Sequence, residues 1–238
     1  MEYFKHFNTV SYDIYGDGKT RNIADVFRKV RIDPKVLDDI TFYRYYIITN
    51  GERPDIVSYK LYRSTEYHWT FSLLNPWMLD VKTDWPMSIE ELNEFVARKY
   101  PYVVLNFNDL ALASKYQIGE TLQGLASGAK GVVISKNVNL GEVVIRKTNA
   151  LNYSNGELVL GQTSGDFLNL TNEVLQINAT HHYELADGTP ADRFTIGRQP
   201  ITNFEYELAK NEEHTRIKVI RPELIGLVAD SFINIISK

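Results

Sequence analysis

Gly119-Glu120, Gly124 and Ser127-Gly128 recur as Gly156-Glu157, Gly161 and Ser164-Gly165, every offset kept at a spacing of 156 − 119 = 37 residues. Repetition at a fixed period marks a duplicated supersecondary unit that buries its apolar face against its copy. The surrounding texture, roughly residues 116–176, consists of short β-type runs separated by glycines, with VVIS (132–135) and EVVIRK (142–147) as core strands. The expectation is a small β-barrel or sandwich whose two halves superpose. A chain of 238 residues has room for this block and for one or two further small units.

A second segment, residues 50–75 (NGERPDIVSYKLYRSTEYHWTFSLLN), reads as a turn, a short helix, another turn and a second short helix. Pro54 suits a first helical position, where its missing N–H costs nothing. Ile56, Val57 and Leu61 give that helix one apolar side. Ser64 or Thr65 can cap the next, whose stripe is Trp69, Leu73 and Leu74. TFYRYYIIT (41–49) ahead of the turn is aromatic and β-branched, so it reads as a strand.

The flanks are less regular. Residues 9–14 alternate loosely and turn at Tyr15-Gly16-Asp17-Gly18; a helix with Asn22 as N-cap is then expected, because Ile23, Val26, Phe27 and Val30 fall at i, i+3, i+4 and i+7. Ser88 and Glu91 form a capping box for a helix ending at Tyr100-Pro101. His181 to Glu184 looks like a strand entering a turn at Asp187-Gly188. Residues 205–213 read as a solvated helix and 216–220 as a half-buried strand. Pro222 opens a last helix striped with Leu224, Ile225, Val228, Phe232, Ile235 and Ile236.

The pattern Gly51-Glu52-x-Pro54-x-Ile56-x-x-Tyr59-x-Leu61-Tyr62, followed by Tyr67-x-Trp69 and closed by Leu74-Asn75, resembles the LysM module. More narrowly, the chain resembles a baseplate wedge protein of T-even-type contractile phage tails. The further matches are YFKHFNTVSYDI near the start, Asp84-Trp85-Pro86 after the module, and NEEHTRIKVIRPELIGLVADSFINII at the C-terminus. Together they cover roughly residues 3–100 and 204–236. The family's shorter members lack a counterpart of 116–176, so that block reads as an insertion.

The implied organisation is α+β. An N-terminal arm and helix (1–40) precede a LysM-like strand-helix-helix-strand unit with its following helix (41–100). A connector (101–115), the inserted β-domain (116–176), a β/turn connector (177–203) and a C-terminal helix, strand and helix (204–238) complete it. The resemblance implies a structural virion protein that joins adjacent wedges of a six-fold baseplate and contacts the wedge's helical core, assembled in the host cytoplasm. The module residues Gly51, Pro54, Ile56, Tyr59, Leu61, Tyr62, Trp69, Asn75 and Trp85 would hold structure or meet partners. The stripes Ile23/Val26/Phe27/Val30 and Leu224/Val228/Phe232/Ile235 either pack internally or lie against partner helices.

Two other classes compete with this one. LysM modules typically bind N-acetylglucosamine polymers such as peptidoglycan or chitin. Here Arg63 stands where a glycine usually follows the Leu-Tyr pair, and Pro76-Trp77-Met78 follows Asn75 in place of a closing strand. A tail lysin would need a hydrolase domain, and no nucleophile elbow or cysteine is present. Gly18-Lys19-Thr20 falls short of a phosphate loop, because position 13 holds Asp13 and not glycine. None of the five histidines pair at i, i+4, and His181 and His182 on a strand should face opposite ways. No cofactor or metal is therefore expected, and an enzyme is not.

A net charge of −4 argues against general nucleic-acid binding. Glu2, Lys5 and His6 interrupt any secretory h-region, and no uncharged run suggests a membrane span.

Overall fold

The computed structural model describes residues 7–25 and 39–236. The chain forms two compact units, one from Met1–Ile89 with Asn211–Lys238 and the other from Glu90–Lys210. Helices and strands are mixed in α+β fashion.

The first unit begins with an antiparallel hairpin, β1 (Thr9–Tyr12) and β2 (Arg21–Ala24), in which Val10 lies opposite Ile23. The helix expected from Asn22 is thus not what these residues form; Asn22 sits inside β2 and accepts from the Ser11 hydroxyl at 2.7 Å. The reason lies in Asp13, whose carboxylate accepts from the N–H groups of Asp17 and Gly18 at 3.1 and 2.8 Å and so folds the chain back on itself. Val26, Phe27 and Val30 lie outside the described residues.

Strand β3 (Tyr43–Ile47) leads to α1 (Pro54–Tyr62), with Pro54 at the first turn as its fixed φ favours. The helix stops at Arg63, which is left-handed at φ 58°, ψ 20° and donates its N–H to the Tyr59 carbonyl at 2.9 Å. Ser64 Oγ then accepts from the Glu66 N–H, starting a 3₁₀ turn (Glu66–Trp69) that runs into α2 (Thr70–Leu74). The left-handed conformation costs an L-residue about 1–2 kcal/mol, while glycine adds unfolded-chain entropy of about 0.5–1 kcal/mol. Arg63→Gly is expected to raise stability by about 0.5–1 kcal/mol, measured by denaturant unfolding with tryptophan fluorescence.

No strand follows α2 directly. The strand that pairs with β3 is β14 (Arg216–Ile220), in the register Arg216↔Ile47 to Ile220↔Tyr43. Its Ile217 and Val219 are buried with Ile48, Val57, Phe71 and Met78, and Leu61, Tyr62 and Trp85 close over them. The chain ends in a 3₁₀ turn (Pro222–Leu224) and α5 (Ile225–Ile236).

The second unit opens with α3 (Ile89–Lys99), stopped before Pro101. Seven strands then follow in the order β10-β4-β7-β6-β5-β8-β9, all antiparallel where they pair. They are β4 (Val103–Asn106), β5 (Thr121–Gly124), β6 (Lys130–Asn137), β7 (Glu142–Lys147), β8 (Leu158–Gly161), β9 (Phe167–Asn169) and β10 (Asn172–Leu175). The outermost two, β9 and β10, are separated only by Leu170 and Thr171, and Thr171 N–H donates to the Asn106 carbonyl at 2.8 Å. The sheet therefore closes on itself as a barrel, which leaves it without long open edges. Residues 101–115, expected to be a connector, contribute β4, which pairs with β10 on one side and β7 on the other.

The repeat is written into the hydrogen bonds. Glu120 on one copy accepts from the Ser164 N–H and hydroxyl on the other, both at 3.0 Å, and from the Thr163 N–H at 3.3 Å. Glu157 accepts from the Ala126 and Ser127 N–H groups at 2.9 Å and the Ser127 hydroxyl at 2.7 Å. Tyr116 Oη donates to the Val159 carbonyl at 2.7 Å, and Tyr153 Oη to that of Leu122 at 2.9 Å. Each pair is the other shifted by 37 residues, so the copies are related by an approximate two-fold axis through the β5–β8 pair. A Cβ at Gly124 would lie 2.5 Å from the Glu157 carboxylate, and one at Gly161 2.7 Å from that of Glu120. Glycine there lets each carboxylate reach the opposite turn.

A three-stranded sheet, β12-β11-β13, completes this unit with β11 (Thr180–Glu184), β12 (Pro190–Ala191) and β13 (Gln199–Thr202), followed by α4 (Asn203–Glu213). The helix is less solvated than its sequence suggests: Asn203 and Glu207 are buried, and Glu207 Oε1 accepts from Lys99 Nζ and Tyr100 Oη at 2.8 Å.

Candidate functional site

The module residues fall into two groups, those that hold the first unit together and those that face solvent. Asn75 is buried; its amide donates to the Phe71 and Lys218 carbonyls at 2.8 and 2.9 Å, and its Oδ1 accepts from the Lys218 N–H at 2.9 Å. The side chain thereby stands in for a third strand along the outer edge of β14. Tyr62 Oη donates to the Ile220 carbonyl at 3.0 Å, and its ring packs on Tyr67 and Phe71. Trp85 donates its indole N–H to the Glu52 carbonyl at 2.6 Å and tilts over Phe71.

Glu52 itself gathers Tyr46 Oη at 3.0 Å, the Thr49 N–H at 2.9 Å and the Lys60 ammonium. Burial alone would raise its carboxyl pKa; the bonds from Lys60, Thr49 and Tyr46 outweigh that and hold it below the usual range. Gly51 forms the turn between β3 and α1 at φ 74°. Leu61 packs half-buried on the Phe71 core.

Ile56 and Tyr59 remain open, at 45% and 52% exposure, and Arg63 is exposed as well. Ile56 and Tyr59, three apart, share one face of α1, and Arg63 lies beyond its end in the left-handed turn. Of the stripes, Ile23 is half-buried in β2 and not on a helix. Leu224 and Val228 pack beside Tyr43, Leu74, Ile220 and Ile225. Phe232 is buried with Phe7 and Ile236, its ring 4.3 Å from that of Trp69. Ile235 and Leu227 point to solvent at 54% and 67%. The last helix thus uses most of its stripe internally.

The second unit holds a titratable cluster that the strand period hid. A register shift between Thr180 and His182 brings His181 Nδ1 to 2.8 Å from His182 Nδ1, where alternation would have sent the rings to opposite faces. His182 Nε2 lies 2.8 Å from Glu184 Oε1, and Tyr206 stacks on His181 at 3.7 Å. Burial, then the neighbouring His182, pushes the His181 pKa down. Among the described residues no three of His, Cys, Asp and Glu gather as a metal-ligand set, and no helix is long and apolar enough to cross a membrane. No model of a known protein family matches the chain, and no curated protein matches it.

Proposed function

We propose that this chain is a structural subunit of a contractile-tail baseplate wedge, joining adjacent wedges in a six-fold assembly through a LysM-like unit. The observation that carries the reading is the pairing of β3 with β14. The stretches that resemble the wedge family, residues 3–100 and 204–236, are far apart in sequence, yet the first compact unit draws on both ends of the chain. The barrel between them is where the resemblance is absent. In this reading β14 is the closing strand of a LysM-like strand-helix-helix-strand unit, delivered after an insertion. The module's characteristic residues serve the unit's own integrity, and Ile56, Tyr59, Leu227 and Ile235 remain exposed for the wedge's helical core or a neighbouring wedge.

The subunit would reside in the virion tail after assembly in the host cytoplasm, without cofactor or nucleic acid. Mass spectrometry and a density map of purified tails test this. The expected result is this chain in six-fold density bridging neighbouring wedges; its absence from tails carrying every other wedge protein would overturn the reading.

The glycan-binding alternative is opposed by the Arg63 side chain, which projects from the turn after α1 where glycine would leave the surface clear. Calorimetry with N-acetylglucosamine oligomers is expected to give no saturable heat. Micromolar binding lost on substituting Tyr59 would favour the glycan class instead.

A further inference from the structure

We infer that the His181–His182 pair is an acid-operated latch of the second unit, which ties β11 to α4 while a single hydrogen lies between the two rings and lets go when both facing nitrogens are protonated. The bulge builds the pair. Its register shift between Thr180 and His182 turns both rings to one side, where a regular strand would part them. Their planes stand 86° apart, and Tyr206 of α4 lies parallel to His181 at 3.7 Å and edge-on to His182 at 6.0 Å. The stack on Tyr206 is the point at which β11 grips the helix.

Hydrogen counting sets the limit. The facing Nδ1 atoms are 2.8 Å apart, so one must donate and the other accept. A carboxylate only accepts, so His182 Nε2 holds the hydrogen of its 2.8 Å contact with Glu184. In the neutral pair His182 Nδ1 then carries a lone pair and receives the N–H of His181. One further proton still leaves a single hydrogen between the rings. A second puts N–H groups on both facing nitrogens and a positive charge on each ring, and the contact must break. The pair thus titrates as a unit, in two separate steps.

The surroundings favour the closed state at neutral pH. Glu207 of α4 favours charge on His181; Lys99 of α3, bonded with Tyr100 to Glu207 at 2.8 Å, opposes it. On β11 Glu184 faces His182, while Arg198 lies over the Tyr183 ring. Burial, then His182, outweigh Glu207, so folded His181 resists a proton that the unfolded chain takes up near the ordinary 6.5. This stability is present above that pH and lost below it. The start of α4 is fixed separately, by Asn203 N–H on the Ala179 carbonyl at 3.0 Å and its amide on that of Gln176 at 2.7 Å. Opening therefore frees the turns beyond it, along which the chain leaves the second unit after Lys210.

The test uses the full chain carrying Glu142→Gln, because Glu142 accepts from the Thr180 N–H and titrates at about 7 in the opposite sense. Nitrogen-15 spectra of the histidine rings and amide hydrogen exchange are followed from about pH 8 to about pH 4. The expected result is the Nε2–H tautomer at His182 and two well-separated proton uptakes by the pair. Amides 207–210 should lose at least tenfold in protection, in the second step alone. His181→Phe keeps a ring on Tyr206 but carries no proton, so it should abolish that loss. His182→Gln, whose amide oxygen still accepts from His181, should abolish it too and decides the matter if the phenylalanine variant does not fold.

Two rings titrating independently as ordinary histidines, or protection at 207–210 indifferent to the second step, would overturn the proposal. So would an undiminished acid loss in His181→Phe, which would place the effect in Glu207 and its bonds to Lys99 and Tyr100.

Discussion

Glu142→Gln is expected to stabilise the barrel unit by about 3 kcal/mol at pH 8 and to change it little at pH 4. Glu142 is 5% exposed and receives one backbone bond, from the Thr180 N–H at 3.1 Å. Burial pushes its carboxyl from 4.5 up to about 7, opposed only in part by Thr180. The unfolded chain thus ionises earlier than the folded one, so the wild type loses stability as pH rises from 4.5 to about 7 and is level above that. Over that interval, at roughly 1.4 kcal/mol per pH unit, the loss comes to about 3 kcal/mol. Glutamine keeps an oxygen for Thr180 and removes the charge. Native-state hydrogen exchange at the buried amides of β6 and β7, at both pH values, measures it. A variant no more stable than wild type at pH 8 would rule out an uncompensated carboxylate.

The repeat-related carboxylates should behave in the opposite sense. Glu157→Ala and Glu120→Ala are each expected to cost about 3–5 kcal/mol, because each leaves several backbone N–H groups at the opposite turn without an acceptor. The two costs should agree within about 1 kcal/mol, the ordinary scatter of such contributions, since the bonds are repeated at 37-residue spacing. Burial would raise the Glu157 pKa, but the bonds from Ser127, Ser154 and Ala126 outweigh it and hold it low. Its contribution is therefore present above the unfolded carboxylate range and declines on acidification. Costs differing by more than a factor of two would mean that the second copy of the motif has lost its role.

Turn chemistry explains which parts of this architecture could be read from residues alone. Gly-Glu and Ser-Gly at a fixed period are a local signature of a reciprocal contact, and the barrel follows from it. Pro54, the aromatic run 43–47 and the capping positions before α3 act within a few residues of themselves, and those elements stand where expected.

What was illegible depends on distant partners. Val103 to Asn106 are too few to declare a strand until β7 and β10 flank them. The stripe from Ile23 has helical spacing, but Asp13, ten residues earlier, commits Ile23 to a hairpin. The bulge at His181 is a property of its pairing with β13, invisible to period-two reasoning. At the candidate site, the motif located Asn75, Tyr62 and Trp85, but only the β14 pairing shows that they hold the unit together.

The separation of β3 from β14 also governs the order of events during synthesis. Barrel strands β4 to β10 all emerge between them, so that unit can close while its host unit still lacks a strand. At roughly 5–20 residues per second, β3 waits on the order of ten seconds for its mate. Throughout that interval the edge that β14 will cover is exposed. Ribosome-bound chains halted before Arg216 should therefore yield a protease-resistant barrel and a digestible N-terminal portion, and holdase chaperones would find their target in the waiting strand.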